Sequence, residues 1–344
     1  QDQAGLAVDM AGYLASMMYL GYLSGSIIVT KTLAKFGPTR MLNCGLVLLV
    51  LTSWAMSSGE VFAYWAVIMF GIGFASAMVF LATLSLILGI FLDYGAGWLT
   101  ASLYSGIGLA IVLIGLVVPE IGKASGWQGA WSFVALTALL GGGLCHFLLK
   151  PYDQKLQKSL TIKGAWSAPG AKRTASFLIT AYFLHGFSYT IGGTFMVAML
   201  SEFPGLHGHA HIGWILVGAM VIPSCLIWPI FASRFGEVKT VTLLLALQAL
   251  ANIIVVFWTT QTGILVGAAV FGSTFLAIPG LVLGRIAKLA GNKKDQIIGL
   301  ATILFGIAMV LGPSIGGVIA KQTGSFDRSL IMASIALLIG AGIS

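Results

Sequence analysis

The sequence predicts an all-α polytopic membrane protein, and three observations carry that prediction. First, 58% of the 344 residues are hydrophobic and only 8% are charged, about a third of the charge an ordinary soluble domain carries. Second, the apolar residues come in long unbroken runs, unlike the short alternating segments of a transmembrane β-barrel. Third, basic side chains gather in every second loop. So few charges cannot cover a soluble globule, and a disordered chain needs low hydrophobicity. The 45 glycines and 12 methionines suit packed membrane helices, where small residues let backbones approach.

A helix needs about 20 apolar residues to cross the hydrocarbon core, which gives eleven spans. The first, 8–32, carries a GxxxG packing face at Gly21 and Gly25 and ends before Lys35-Phe36-Gly37-Pro38. Span 40–58 stops at Ser57-Ser58-Gly59-Glu60, and 61–91 stops at Asp93-Tyr94-Gly95. Spans 96–119 and 127–149 are separated by Gly122-Lys123-Ala124-Ser125-Gly126. A polar stretch, 150–172, holds five Lys and one Asp and divides the chain. Beyond it lie 173–200, then 210–233 and 239–259 on either side of a basic turn, and 262–290, which Pro279-Gly280 is expected to kink. After Gly291-Asn292-Lys293-Lys294 come 295–320 and 327–344. Cys44, Cys145 and Cys225 sit far apart in apolar runs and read as buried thiols.

Orientation follows from Lys and Arg. With residue 1 outside, the inside loops hold fifteen basic and four acidic residues, +11, and the outside holds three basic and six acidic, −3. The net charge of +8 is thus an orientation signal. It is no nucleic-acid footprint, which needs a basic soluble face.

The chain also repeats. Ala34-Lys35-Phe36-Gly37-Pro38-Thr39-Arg40 recurs as Ser233-Arg234-Phe235-Gly236-Glu237-Val238-Lys239, an offset of 199. The same shift carries 40–58 onto 239–257, 61–91 onto 260–290, and Gly73 onto Gly272. An offset of 198 pairs Gly122–Gly126 with Ala320–Gly324. Run backwards, the repeat puts the partner of 173–200 before residue 1. The expected parent therefore has two six-helix halves, with its first helix missing here and its last one truncated.

Two parallel six-helix repeats with a basic inside linker resemble the major facilitator superfamily of secondary transporters. The loops Lys35–Arg40 and Arg234–Lys239 look like its loop motif, and Leu311-Gly312-Pro313-Ser314-Ile315-Gly316-Gly317 looks like its Gly-Pro helix motif. Tyr182-Phe183-Leu184-His185-Gly186-Phe187-Ser188-Tyr189 and Gly213-Trp214-Ile215-Leu216-Val217-Gly218 are similar to the YbfB/YjiJ-like group. The resemblance implies an N-terminal bundle over 1–149, a cytoplasmic linker over 150–172 and a C-terminal bundle over 173–344. The sequence departs from the pattern in three places. The motif's Asp is Ala34 and Ser233, and an Arg expected in the third span is Val67.

Polar groups at mid-bilayer are costly and so are candidates for function. His185 lies 12 residues past Arg173, about 18 Å along a helix and close to the midplane. Tyr182, His185 and Tyr189 share a face, and in the resembled fold that helix lines the central cavity. Ser273 and Thr274, their repeat counterparts Ser76 and Thr83, and Tyr104 complete the candidate substrate-binding set. A neutral His bonded to a neighbouring helix, or hydroxyls turned to their own backbone, is the competing structural reading. Gly37, Arg40, Arg234, Gly236 and Lys239 are candidates for conformational control at the inside loops. Pro119 and Pro313 are candidates for bends on which two halves rock. His146 reads as interfacial. His207, His209 and His211 read as a solvated loop rather than a metal site.

No HExxH or paired intramembrane Asp is present, so no enzyme, metal or cofactor is expected. The expected function is a secondary active transporter working by alternating access in the cytoplasmic (inner) membrane. Its expected cargo is a small organic solute, with the proton as candidate coupling ion. A monomer is expected, in a lipid bilayer and without nucleic acid. The alternative is a transporter-like sensor or scaffold.

Overall fold

The computed structural model describes residues 8–59, 61–94, 97–149, 170–202 and 211–343. These residues form helices and, among themselves, no strand. In order they are α1 (Val8–Phe36), α2 (Pro38–Met56), α3 (Phe62–Asp93), a 3₁₀ turn (Gly97–Tyr104), α4 (Ser105–Leu149), α5 (Ala171–Glu202), α6 (His211–Phe235), α7 (Glu237–Phe257), α8 (Gln261–Thr274), α9 (Ala277–Ala290), a short 3₁₀ turn (Gly291–Lys293), α10 (Lys294–Thr323) and α11 (Asp327–Gly342). Seven stretches among the described residues are long and apolar enough to cross a membrane. Two of these stretches run on through a break. One, Ala101–Leu148, contains Gly126, whose backbone is non-helical at φ 68°, ψ −176°. That glycine separates the expected spans 96–119 and 127–149. Residues 150–169 of the expected linker lie outside the described residues.

Burial is inverted relative to a soluble protein. Trp54, Val67, Leu140, Leu144, Phe147, Ile227 and Phe257 are all exposed, while His185, Gln248 and Asn252 are buried. Lipid accepts the first set without cost. The second must find partners inside the protein, because hydrocarbon offers none. Val67 therefore sits on an outward face of α3, where an apolar side chain suits lipid.

Two compact units divide the described chain, and each takes a segment from the other half of the sequence. The first comprises 1–93, 117–163 and 295–306. Here α1 packs on α3 through glycine: a Cβ on Gly21 or Gly25 would run into the backbone of Phe70 or Phe74. Gly73 meets Met18 in the same way. Trp65 anchors a cluster with Leu14 and Met56, donates its indole N–H to the Gly59 carbonyl at 2.8 Å, and meets Trp127 edge-on at 5.3 Å. The start of α10 joins this unit. Ser85 Oγ donates to Asp295 Oδ1 at 2.9 Å, and Gly299 rests on Thr30.

The second unit comprises 94–116, 164–294 and 307–344. Within it α11 lies on α7, where Ser334 Oγ donates to the Ala249 carbonyl at 3.2 Å. Gly272 on α8 packs against the backbone of Val217 on α6. The segment 97–116 is held by close approaches, Gly280 on Ala101 and Gly108 on Gly218, and by Ser105 Oγ donating to the Ile222 carbonyl at 3.2 Å.

The 199-residue repeat has a structural counterpart. Gly73 contacts Met18, Gly272 contacts Val217, and each partner pair is again 199 apart. Gly37 and Gly236 precede α2 and α7 with matching backbones, φ 79°, ψ 150° and φ 99°, ψ 140°. Such a conformation is essentially confined to glycine. Gly126 and Gly324, 198 apart, both have φ 68° but differ in ψ, −176° and 10°, so this pair does not repeat the same turn.

Candidate functional site

The buried polar groups of the second unit converge around α5. The apolar, small-residue-rich stretch Phe177–Gly193 continues as helix through Gly186, Gly192 and Gly193 because the surrounding helices supply the stability that glycine lacks. On its inner face Tyr182 is 2% exposed, and His185 and Ser188 are fully buried. Opposite them on α7 stand Gln248 and Asn252, one turn apart and also buried. Asn252 Nδ2 donates to Ser188 Oγ at 3.5 Å, and Gln248 meets the His185 imidazole.

The third wall comes from the break between α8 and α9. Pro279 has no N–H to offer the carbonyl four residues earlier, which is that of Phe275. The helix opens there, at Phe275 and Leu276, and the Phe275 backbone meets His185. The aromatic rings then form one stack. His185 and Tyr189 are 5.9 Å apart and 21° from parallel, Tyr189 and Phe275 are 5.7 Å and 16°, and Phe275 and Phe271 are 5.0 Å and 16°. Gly192 leaves room for Phe271 and for Asn252 Oδ1. Tyr189 is half-buried and is the member of the set that reaches a surface.

The other candidates are placed less closely. Ser273 and Thr274 hydrogen-bond their own helix, donating to the Val270 carbonyl at 2.8 Å and 3.0 Å. The Ser273 carbonyl in turn accepts from Trp228 Nε1 at 2.8 Å. Ser76, in the first unit, donates to Ile72 of its own helix at 2.8 Å, and Thr83 on the same helix is half-buried. Tyr104 is buried at the end of the first 3₁₀ turn. Pro119 and Pro313 lie inside α4 and α10. His146 Nδ1 lies 3.3 Å from Asn43 Oδ1 at the edge of α2. His207 and His209 lie outside the described residues, among which no group of three metal-ligating side chains gathers. Cys225 is buried, Cys145 half-buried and Cys44 exposed. The sequence read Cys44 as buried because it stands in an apolar run, but that run faces outward.

At the α6–α7 turn, Arg234 and Lys239 are exposed, as is Arg40 at the α1–α2 turn. The charge that organises the α6–α7 turn is one the motif did not single out. Glu237 forms an ion pair with Arg285 Nη1 at 3.2 Å and accepts from Lys288 Nζ at 2.5 Å, both on α9. The signal was present in the sequence, since Glu237 follows the turn glycine directly and Arg285 and Lys288 are one turn apart. Gln248 and Asn252 carry no local signal of a site, because each stands singly in an otherwise apolar span.

A family model described as an uncharacterised MFS-type transporter, YbfB, matches residues 2–344. No curated protein matches the chain. Among solved structures, the human organic anion transporter MFSD10 (TETRAN) is similar in fold, with a TM-score of 0.76 at 14% identity over 97% of this chain and 83% of that one. A variant of the Escherichia coli fucose:proton symporter FucP gives 0.66 at 15% identity, over 99% of this chain and 91% of that one. At such identities the likeness is one of fold.

Proposed function

The chain belongs to the YbfB family of major-facilitator-type transporters, and from that premise we propose that it carries a small amphipathic organic solute across the inner membrane by alternating access. It is a multi-pass membrane protein. The reading adds eleven spans with residue 1 outside, a cytoplasmic linker at 150–172, and two bundles, 1–149 and 173–344, that rock about a central site. It works as a monomer and a carrier, without cofactor or catalysis. The observation that carries the reading is the polar and aromatic set on α5, α7 and the α8–α9 break. A buried histidine backed by two amides and continued by stacked rings is costly in a bilayer core, and it ends at a half-buried tyrosine able to meet a solute.

In this reading Tyr189 and Phe275 supply a flat apolar face, and Tyr182, Ser273, Thr274, Ser76, Thr83 and Tyr104 supply neutral polar contacts. Such a lining suits an aromatic or amphipathic solute, since a phosphorylated one would want Arg or Lys at depth. His185 is the proton-linked group, because its imidazole can take up a proton when the site opens to water. The neighbouring fold of a proton symporter is compatible with that coupling. Gly37, Arg40, Arg234, Gly236 and Lys239 control the inside turns, and Pro119 and Pro313 the bends.

The complete burial of His185 favours a second reading, in which the cluster is an interhelical anchor in a transporter-like sensor or scaffold. Uptake into proteoliposomes, with a panel of organic solutes and an imposed proton gradient, separates the two. The carrier reading expects gradient-driven uptake of at least one solute, and expects His185→Phe to lose its dependence on pH. Full rate and unchanged pH dependence in His185→Phe would remove His185 from the mechanism. Uptake of no solute would leave the scaffold reading standing.

A further inference from the structure

Where α6 and α9 end and α7 begins, the protein holds a hollow of about 520 Å³. Glu237, Lys239, Arg285 and Lys288 line it, with Phe235 at its edge. Three cations line the hollow with one carboxylate, so it keeps positive charge after Glu237 is paired. Two further features leave donors available. Arg285 Nε is buried without a hydrogen-bond partner. The start of α7 has no side-chain cap, so its first N–H groups and the positive end of the helix dipole add to the field. The apolar surroundings continue from the same place. Phe235, Ile230 and Ile227 on α6 and Leu243 on α7 are all exposed. In a multi-pass protein, helix ends lie at the level of the lipid head groups and such side chains face the acyl region.

We infer that this hollow binds the phosphodiester head group of an anionic phospholipid, whose chains lie along α6 and α7. Arg285 and Lys239 contact the phosphate oxygens. Lys288, shared with Glu237, sets the field and keeps Arg285 in place. A zwitterionic lipid gains less, because its own ammonium meets the same cations. The charge complementarity and the continuous apolar path favour a lipid over free phosphate, which needs no such path.

The test is lipid retention by the full chain, purified from mixed micelles containing equal phosphatidylglycerol and phosphatidylcholine and weighed by native mass spectrometry. The wild-type chain is expected to retain phosphatidylglycerol in preference. Lys239→Gln leaves both ion pairs of Glu237 intact and so avoids a folding defect. It is expected to lower that retention about fivefold, the effect of one cation near a membrane surface. Glu237→Gln removes the opposing charge and is expected to raise it. Equal retention of the two lipids would overturn the proposal, as would wild-type retention by both variants. If saturating inorganic phosphate displaces phosphatidylglycerol, the site is one for free phosphate and the lipid assignment is wrong.

Discussion

The α1–α2 turn and the α6–α7 turn are copies of one design with different chemistry. Both place glycine in a backbone conformation closed to other residues, and both follow it with a membrane-length helix. In the second copy Glu237 joins α7 to α9 through Arg285 and Lys288. At the corresponding positions the first copy has Pro38, Leu86 and Gly89, so no such tie forms; there, Lys35 lies over its neighbour Phe36 at 5.4 Å instead. The same divergence recurs at depth. Gln248 and Asn252 correspond to Leu49 and Ser53. The repeat has kept the backbone geometry and the glycine contacts that helix packing requires, while the Glu237 tie and the amide pair Gln248 and Asn252 belong to one copy. Packing constrains both halves alike, whereas chemistry needs only one of them.

Leucine at Gly73 or at Gly272 tests that division hardest. Each places a side chain against the backbone of a neighbouring helix, so each is expected to cost about 1–3 kcal/mol or more. Thermal unfolding in detergent should show similar losses for the two, and a loss confined to one would break the structural repeat. Gly37→Ala and Gly236→Ala are expected to cost about 1–3 kcal/mol each through backbone strain, again alike, in the same assay. Below these comes Asn252→Ser, which installs the residue the first copy carries. It removes a neutral hydrogen bond worth about 1 kcal/mol, and solute flux should fall more than the stability loss explains. The smallest effect is that of Glu237→Gln. Its partners are partly exposed, so the loss is expected to stay under about 1 kcal/mol and to shrink further in high salt.

Much of this was legible in the sequence for a physical reason. A bilayer demands long apolar runs and glycine contacts, and both are local patterns. Hence the spans around Gly37, Gly126 and Gly236, the Gly21/Gly25 face and the Gly73/Gly272 pairing were all readable. Side-chain partnerships between distant helices were not. Nothing local says that Gln248 will face His185, or that Pro279 will open the helix where Phe275 meets that ring. Ser76 and Thr274 each donate to their own helix, one of the two arrangements the sequence left open, because spacing alone does not say where a hydroxyl turns. Cys44 was misplaced for a related reason, since an apolar run has a lipid face as well as a protein face.

Counterflow tests the carrier claim most directly. Proteoliposomes holding the chain are preloaded with an unlabelled solute selected by the uptake panel, then diluted into a trace of the labelled form with no gradient imposed. A carrier working by alternating access accumulates label transiently inside, and Asn252→Ser and His185→Phe reduce that peak. If label never rises above that in protein-free vesicles, the protein is no carrier of that solute, and the polar set around His185 is an anchor between helices.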